Sequence, residues 1–121
     1  MIRLYRIKTI YNILTMAVAP SDKFNEPYES LAVFSRALSH PARVKIVELL
    51  SNNGEMTCGQ ITEELPLSQA TVSQHLKLLR ECSMIKYRKD GLRSIYTLNA
   101  ELISEAHSFM SALINQLVNP L

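Results

Sequence analysis

The spacing of apolar residues predicts two helices in the first half of the chain. Residues 28–39 carry apolar side chains every three or four positions, as expected of a helix with one buried face. His40 and Pro41 then interrupt the pattern, and Pro is favoured at the first position of a new helix. The segment 51–54, Ser-Asn-Asn-Gly, is predicted to end that second helix.

A tight corner between two further helices is predicted next. Thr57 and Gln60 have the spacing of a capping box, which opens a short helix that Pro66 ends. Ser68 is the expected N-cap of the following helix, which runs to about Cys82. The inward side of this helix is predicted to consist of Val72, Leu76 and Leu79.

After residue 83 the apolar period changes from that of a helix to that of a strand. Two alternating runs, 84–89 and 92–98, flank Asp90 and Gly91, and Asp-Gly between alternating runs is the strongest short signal for a β-hairpin. The residue after the second run, Asn99, can cap a last helix that reaches about Val118.

The last helix is apolar over a wide arc. Most of its apolar positions span about 140° of the helix surface, whereas a helix that packs on one core needs about 100°. We therefore expect this helix to contact a partner, most simply a second copy of the chain. The predicted interface consists of Leu102, Ala106, Phe109, Met110, Leu113, Ile114 and Leu117.

Length and composition limit the chain to a single globular domain. Of its 121 residues 47% are apolar and 20% are charged, so the chain can bury one core but has no room for a second. The low Gly content and the lack of Trp favour helices over a β-sandwich. We predict a mainly α fold with a small β-hairpin and five or more helices, a winged helix-turn-helix that dimerises through its terminal helices.

Residues 1–23 are predicted to form an N-terminal extension and linker in front of a domain that spans residues 24–121. Three bases, an apolar run and the triplet Ala-Val-Ala at 17–19 outline a secretion signal, although Pro20 disfavours cleavage at this point. An extra helix packed on the domain is a second interpretation, and translation from Met16 is a third. The apolar run is shorter than the roughly 20 residues of a membrane span, so no membrane partner is expected.

Charge and cysteine content restrict the partners and the compartment. Residues 66–93 contain six bases and two acids, whereas residues 24–65 contain three bases and six acids. A basic segment of this kind suits a phosphate backbone, although a solvated protein face can have the same composition. Cys58 and Cys82 are too few for a disulfide framework, which indicates a reducing cytoplasm.

These elements together predict a DNA-binding surface. Short hydrogen-bonding side chains on the outer face of a helix allow that helix to enter the major groove, and a basic hairpin beside it can hold phosphates. Lys and Arg on a hairpin also protect the sheet edge from aggregation. The recognition-helix candidates are Ser68, Gln69, Ala70, Thr71, Ser73, Gln74, His75 and Lys77, and the wing candidates are Arg88, Lys89 and Arg93.

Three segments carry a resemblance to the ArsR/SmtB family of repressors. They are residues 37–50, residues 67–81 with the string Ser-Gln-x-x-Val-Ser-Gln-His-Leu, and residues 88–98. The resemblance covers roughly residues 30–115. It implies a homodimeric winged-helix repressor whose first and last helices join the protomers and whose recognition helices each occupy one operator half-site.

The metal sites that the resemblance implies are not expected in this chain. One site uses Cys-x-Cys, where this sequence has Thr57-Cys58-Gly59, and a lone thiolate cannot form it. The other site uses Asp-x-His and His-x-x-Glu on the last helix. The matching positions here are Ala100, Leu102, Leu113 and Gln116. We therefore expect no metal and no cofactor.

The predicted function is sequence-specific repression of transcription by a cytoplasmic homodimer on a pseudo-palindromic operator in double-stranded DNA, with release by an unknown effector. No Walker loop, Gly-x-Ser-x-Gly or paired-carboxylate pattern is present, so an enzyme is not expected. Two alternatives remain. One is a thiol-responsive repressor that uses Cys58 and Cys82, which would require Cα atoms within about 7 Å. The other is a winged-helix protein-interaction module without sequence-specific DNA binding.

Overall fold

The computed structural model describes residues 24–121, so the interpretations of residues 1–23 lie outside the described residues. Five helices and three strands occur in this range: α1 (Tyr28–Ala37), α2 (Pro41–Asn53), β1 (Glu55–Thr57), α3 (Cys58–Glu63), α4 (Gln69–Glu81), β2 (Ile85–Asp90), β3 (Arg93–Leu98) and α5 (Ala100–Val118). The predicted class, a mainly α winged helix-turn-helix with a small β component, is confirmed.

Helix α2 begins and ends at the residues that the sequence indicated. His40 is the N-cap, and its ring Nδ1 accepts a hydrogen bond of 3.0 Å from the backbone N–H of Ala42. Pro41 occupies the first turn, where its missing N–H leaves no unpaired donor. Gly54 ends the helix with a φ of 81°, a conformation that only glycine adopts at low cost.

The caps of α3 and α4 set the corner between these two helices. Thr57 and Gln60 form the predicted capping box, in which each side chain bonds to the backbone N–H of the other residue. Ser68 caps α4 by accepting a hydrogen bond of 3.2 Å from the backbone N–H of Thr71. Both caps satisfy N–H groups that the first turn of a helix would otherwise leave without partners.

Residues 36–99 form one compact unit with its own apolar core. Helix α4 packs against both α2 and α3, and all three helices contact the sheet. The predicted inward side of α4 is confirmed, because its three apolar residues are almost completely buried. The fully buried large side chains of this unit are Ile46, Leu50, Ile61, Val72, Leu76, Leu79, Cys82 and Met84.

The sheet differs from the predicted hairpin in two ways. Its order is β1-β3-β2 and all pairings are antiparallel, so the unpredicted strand β1 adds to the edge of the hairpin. The turn also lies one residue later than predicted, because Asp90 still pairs with Arg93. The turn residues are therefore Gly91 and Leu92, with Gly91 in the first turn position at a φ of 64°, a conformation that favours glycine.

The second compact unit contains the described residues 24–35 and 100–121. Its main element is α5, on which Leu102 and Ala106 are buried. Towards the end of the same helix the apolar side chains become exposed, and Leu117 reaches 67% exposure. Within residues 24–121 no helix is long and apolar enough to cross a membrane.

Candidate nucleic-acid interface

Helix α4 has an exposed polar face opposite its buried side. Five of the predicted recognition residues on this helix are exposed to solvent, while Thr71 and His75 are partly buried. The exposed residues on α4 are Gln69, Ala70, Ser73, Gln74 and Lys77. Ser68, just before the helix, is exposed as well, but its hydroxyl lies within 3.2 Å of two atoms of Thr71 and is engaged in the cap. The exposed set therefore presents two amides, a hydroxyl and an ammonium group.

His75 lies apart from this exposed set and joins α4 to α2. Its Nδ1 is 3.3 Å from Nη1 of Arg43, and its ring centroid is 4.5 Å from that of His40. A guanidinium group only donates, so Nδ1 of His75 must accept and the ring proton must be on Nε2. Burial lowers the pKa of His75, and the neighbouring His40 and Arg43 lower it further. His75 is therefore neutral where it contacts Arg43.

Arg43 is a structural residue that the sequence interpretation missed. Its Nε donates to the carbonyl of Ala37 at 2.9 Å, and its Nη2 donates to the carbonyl of Arg36 at 3.2 Å and to Oγ of Ser39 at 3.0 Å. The same guanidinium thus binds the carbonyl end of α1 and the recognition helix. A basic residue shortly after a helix end can satisfy the last carbonyls, and this was the available sequence signal.

The wing is attached to α4 through stacked side chains. The guanidinium carbon of Arg80, near the end of α4, lies 3.5 Å from the ring centroid of Tyr87 on β2. Tyr87 in turn stacks on Tyr96 of β3, with centroids 6.1 Å apart. The two tyrosines therefore pack within the hairpin, and the cation–π contact joins the wing to the end of the recognition helix.

Two of the three wing cations are engaged in surface ion pairs. Arg88 is 3.0 Å from a carboxylate oxygen of Glu55, and Arg93 is 3.2 Å from a carboxylate oxygen of Asp90. All four side chains are more than half exposed, and exposed pairs contribute at most about 1 kcal/mol. These arginines can therefore exchange their carboxylates for phosphates at low cost. Lys89 is exposed and forms no ion pair with any described residue.

The two cysteines lie beside different parts of α4. Sγ of Cys58 is 3.5 Å from Oγ of Ser73, whereas Cys82 follows Ser73 nine residues later, about 13.5 Å along a helix axis. Both cysteines are free, and Cys82 is fully buried, which raises the pKa of its thiol to about 11. This arrangement disfavours the thiol switch between Cys58 and Cys82. Among residues 24–121 no group of three or more His, Cys, Asp or Glu side chains could hold a metal ion.

Comparison with known proteins decides the family. Residues 40–87 match the model of the bacterial regulatory protein, arsR family. The chain is 35% identical over 80 residues to the uncharacterized HTH-type transcriptional regulator MJ1325 of Methanocaldococcus jannaschii, in a match that covers 66% of this chain and 90% of that protein. The chain belongs to the ArsR family. Another relative, the transcriptional repressor SdpR of Bacillus subtilis, is 34% identical over 67% of this chain and 89% of its own length.

Solved structures share the fold of this chain. HlyU from Vibrio cholerae has 27% sequence identity and a TM-score of 0.62, and the match covers 74% of this chain and 97% of HlyU. A crystal structure of an ArsR family transcriptional regulator with 16% identity has a TM-score of 0.68 and shows the fold alone; that match covers 81% of this chain and 100% of the other. The ArsR family consists of DNA-binding transcriptional regulators and not of enzymes. The predictions that the chain is a DNA-binding regulator and that it is not an enzyme are therefore confirmed.

Proposed function

We propose that this ArsR-family chain represses transcription as a homodimer on a pseudo-palindromic operator and is released by a signal still to be identified. The observation that carries the proposal is the exposed polar face of α4 beside a wing whose predicted DNA-binding cations, Arg88, Lys89 and Arg93, are all exposed. The similarity to a named repressor, SdpR, supports the same activity. Two free cysteines fit a reducing cytoplasm.

The exposed side chains of α4 are assigned to the bases and those of the wing to phosphates. Gln69, Ser73 and Gln74 carry the groups that recognise base edges in the major groove, and a glutamine amide can bind adenine through two hydrogen bonds. Lys77 and Lys89 carry ammonium groups, and Arg88 and Arg93 carry guanidinium groups that can bind two oxygens at once. Both kinds of cation suit phosphate oxygens. We assign His75 and Arg43 to the positioning of α4, since they contact one another and join α4 to α2.

The proposed dimer interface lies on the exposed half of α5. Leu113, Ile114 and Leu117 are 40%, 49% and 67% exposed, and a contiguous apolar face of this kind is costly in water. Phe109 and Met110 lie next to these residues on the same helix. Two members of the predicted interface, Leu102 and Ala106, are already buried in the single chain, so the proposal begins at Phe109. A two-fold dimer presents its two recognition helices about one DNA turn, or ~34 Å, apart.

The division of roles between α4 and the wing is tested by comparing Gln74→Ala with Lys89→Ala. Gln74→Ala should reduce the specificity for the operator, because the amide that binds a base edge is removed. The difference between the specific and nonspecific binding free energies should shrink by about 1–3 kcal/mol for each half-site. Lys89→Ala should weaken binding to all sequences about equally and lower the salt slope by about 1 for each phosphate that is no longer neutralised. Lys45→Ala, at an exposed cation on α2, is the matched control. Equal effects of the first two variants on specificity and salt slope would refute this division.

A further inference from the structure

The tip of the wing exposes an apolar side chain in an unusual position. Leu92 is fully exposed, with a relative accessibility of 102%, and it occupies the second position of the hairpin turn. Gly, Asn and Asp favour such turns, whereas a leucine with no buried surface adds nothing to folding. Single exposed apolar residues are common on proteins, so the surroundings of Leu92 decide whether it has a ligand.

The surroundings of Leu92 are basic and held in a defined shape. The pair Asp90 and Arg93 closes the turn, both through the strand register and through a side-chain contact of 3.2 Å. Lys89 and Arg88 precede the turn on β2, and successive strand residues point to opposite faces, so cations lie on both faces of the tip. An apolar side chain framed by cations is complementary to a DNA groove, which has phosphates on its rims and sugars and bases inside.

The length and attachment of the wing allow its tip to reach the neighbouring groove. Strand β2 has six residues and therefore extends about 20 Å at 3.4 Å per residue. It starts four residues after α4 ends, and the contact between Arg80 and Tyr87 holds it against that helix. If α4 occupies the major groove, the groove across the adjacent phosphate strand is the minor groove, which is about 6 Å wide.

We propose that Leu92 enters the minor groove next to each half-site and packs on deoxyribose and base edges, which adds an apolar contribution to DNA affinity. The inference rests on the proposed DNA-binding function and goes beyond it, because that function assigned only charges to the wing. Apolar side chains used in this way occur in several classes of minor-groove binders. The contribution is independent of salt, because removing apolar surface from water releases no counterions from the phosphates.

The test compares Leu92→Ala and Leu92→Asn with Lys89→Ala in fluorescence-anisotropy titrations against operator DNA over a series of salt concentrations. The two Leu92 variants should bind about tenfold more weakly for each wing at every salt concentration, with an unchanged salt slope. Lys89→Ala should instead lower the slope by about 1 for each wing. Thermal unfolding of the Leu92 variants should match that of the unchanged protein, because the side chain is fully exposed. Val44→Ala, at a half-exposed valine on α2, should leave the Kd unchanged.

Hydroxyl-radical footprinting supplies a second readout, because these radicals attack deoxyribose from the minor groove. The unchanged protein should protect sugars in the minor groove beside each half-site, and Leu92→Ala should abolish this protection while the remaining footprint persists. An unchanged Kd, a changed salt slope or an unchanged footprint in Leu92→Ala would overturn the inference and leave the proposed function intact. Absence of sequence-specific DNA binding by the unchanged protein would overturn both.

Discussion

Replacement of Arg43 tests whether one guanidinium group holds the helix-turn-helix together. Arg43→Met keeps the aliphatic stem and removes all four hydrogen bonds of the head group. The carbonyl of Arg36 still accepts from the backbone and side chain of Ser39, so the effect there is small. The carbonyl of Ala37, a fully buried residue, is left without the bond from Nε. An unsatisfied group of this kind costs about 1–3 kcal/mol, and we expect Arg43→Met to lower the free energy of unfolding by about 2 kcal/mol.

The assay is urea and thermal unfolding followed by circular dichroism. For a domain of this size the expected destabilisation corresponds to a Tm about 10 °C lower. Arg43→Lys should recover only part of the stability, because an ammonium group cannot reach several acceptors in a fixed fork. Lys45→Met removes an exposed ion pair with Glu48 and should leave the unfolding midpoint essentially unchanged. The reasoning is refuted if Arg43→Met is as stable as this control.

Three further predictions concern the histidine, the cysteines and the last helix. Burial lowers the pKa of His75 below its ordinary 6.5, so as the pH falls the unfolded chain binds a proton at this residue before the folded chain does. The free energy of unfolding should therefore be unaffected by His75 above about pH 6.5 and should decrease below that pH. In urea unfolding this fall should be smaller for His75→Gln, and an equal fall would contradict the lowered pKa of His75. Cys58 should react with a thiol reagent in the folded protein, whereas the buried Cys82 should react only after unfolding; labelling at equal rates in timed mass spectrometry would contradict this. Leu117→Glu should sediment as a monomer and keep its helicity. An intact dimer would argue against the α5 interface.

Local signals were sufficient to predict the elements that present the candidate site. The capping box at Thr57 and Gln60, the N-cap Ser68 and the His40-Pro41 start all act within four residues, and the structure has each of them. The helical period also separated the buried and exposed sides of α4 correctly. These features depend on backbone N–H groups and on side-chain spacing, both of which are visible in the sequence.

Long-range pairings were beyond the reach of these local signals. Strand β1 has only three residues, too few to show alternation, and it exists because Met56 pairs with Tyr96, which is distant in sequence. The contact between Arg43 and His75 likewise joins residues 32 positions apart. The hairpin turn was misplaced by one residue, because the strong Asp-Gly signal did not distinguish a turn at Asp90-Gly91 from one at Gly91-Leu92. With the turn at Gly91-Leu92, Leu92 lies at the tip of the wing and not at the start of β3.

The most direct test of the proposed repressor is binding of the purified protein to DNA from its own upstream region, with an unrelated duplex of equal length as the reference. Both titrations are repeated over a range of salt concentrations. A preference of ~10³ or more for the upstream DNA, together with a steep fall of affinity with salt, is the predicted result. Equal and weak binding to both duplexes at every salt concentration would contradict sequence-specific repression and would leave a winged helix that binds proteins or DNA backbone.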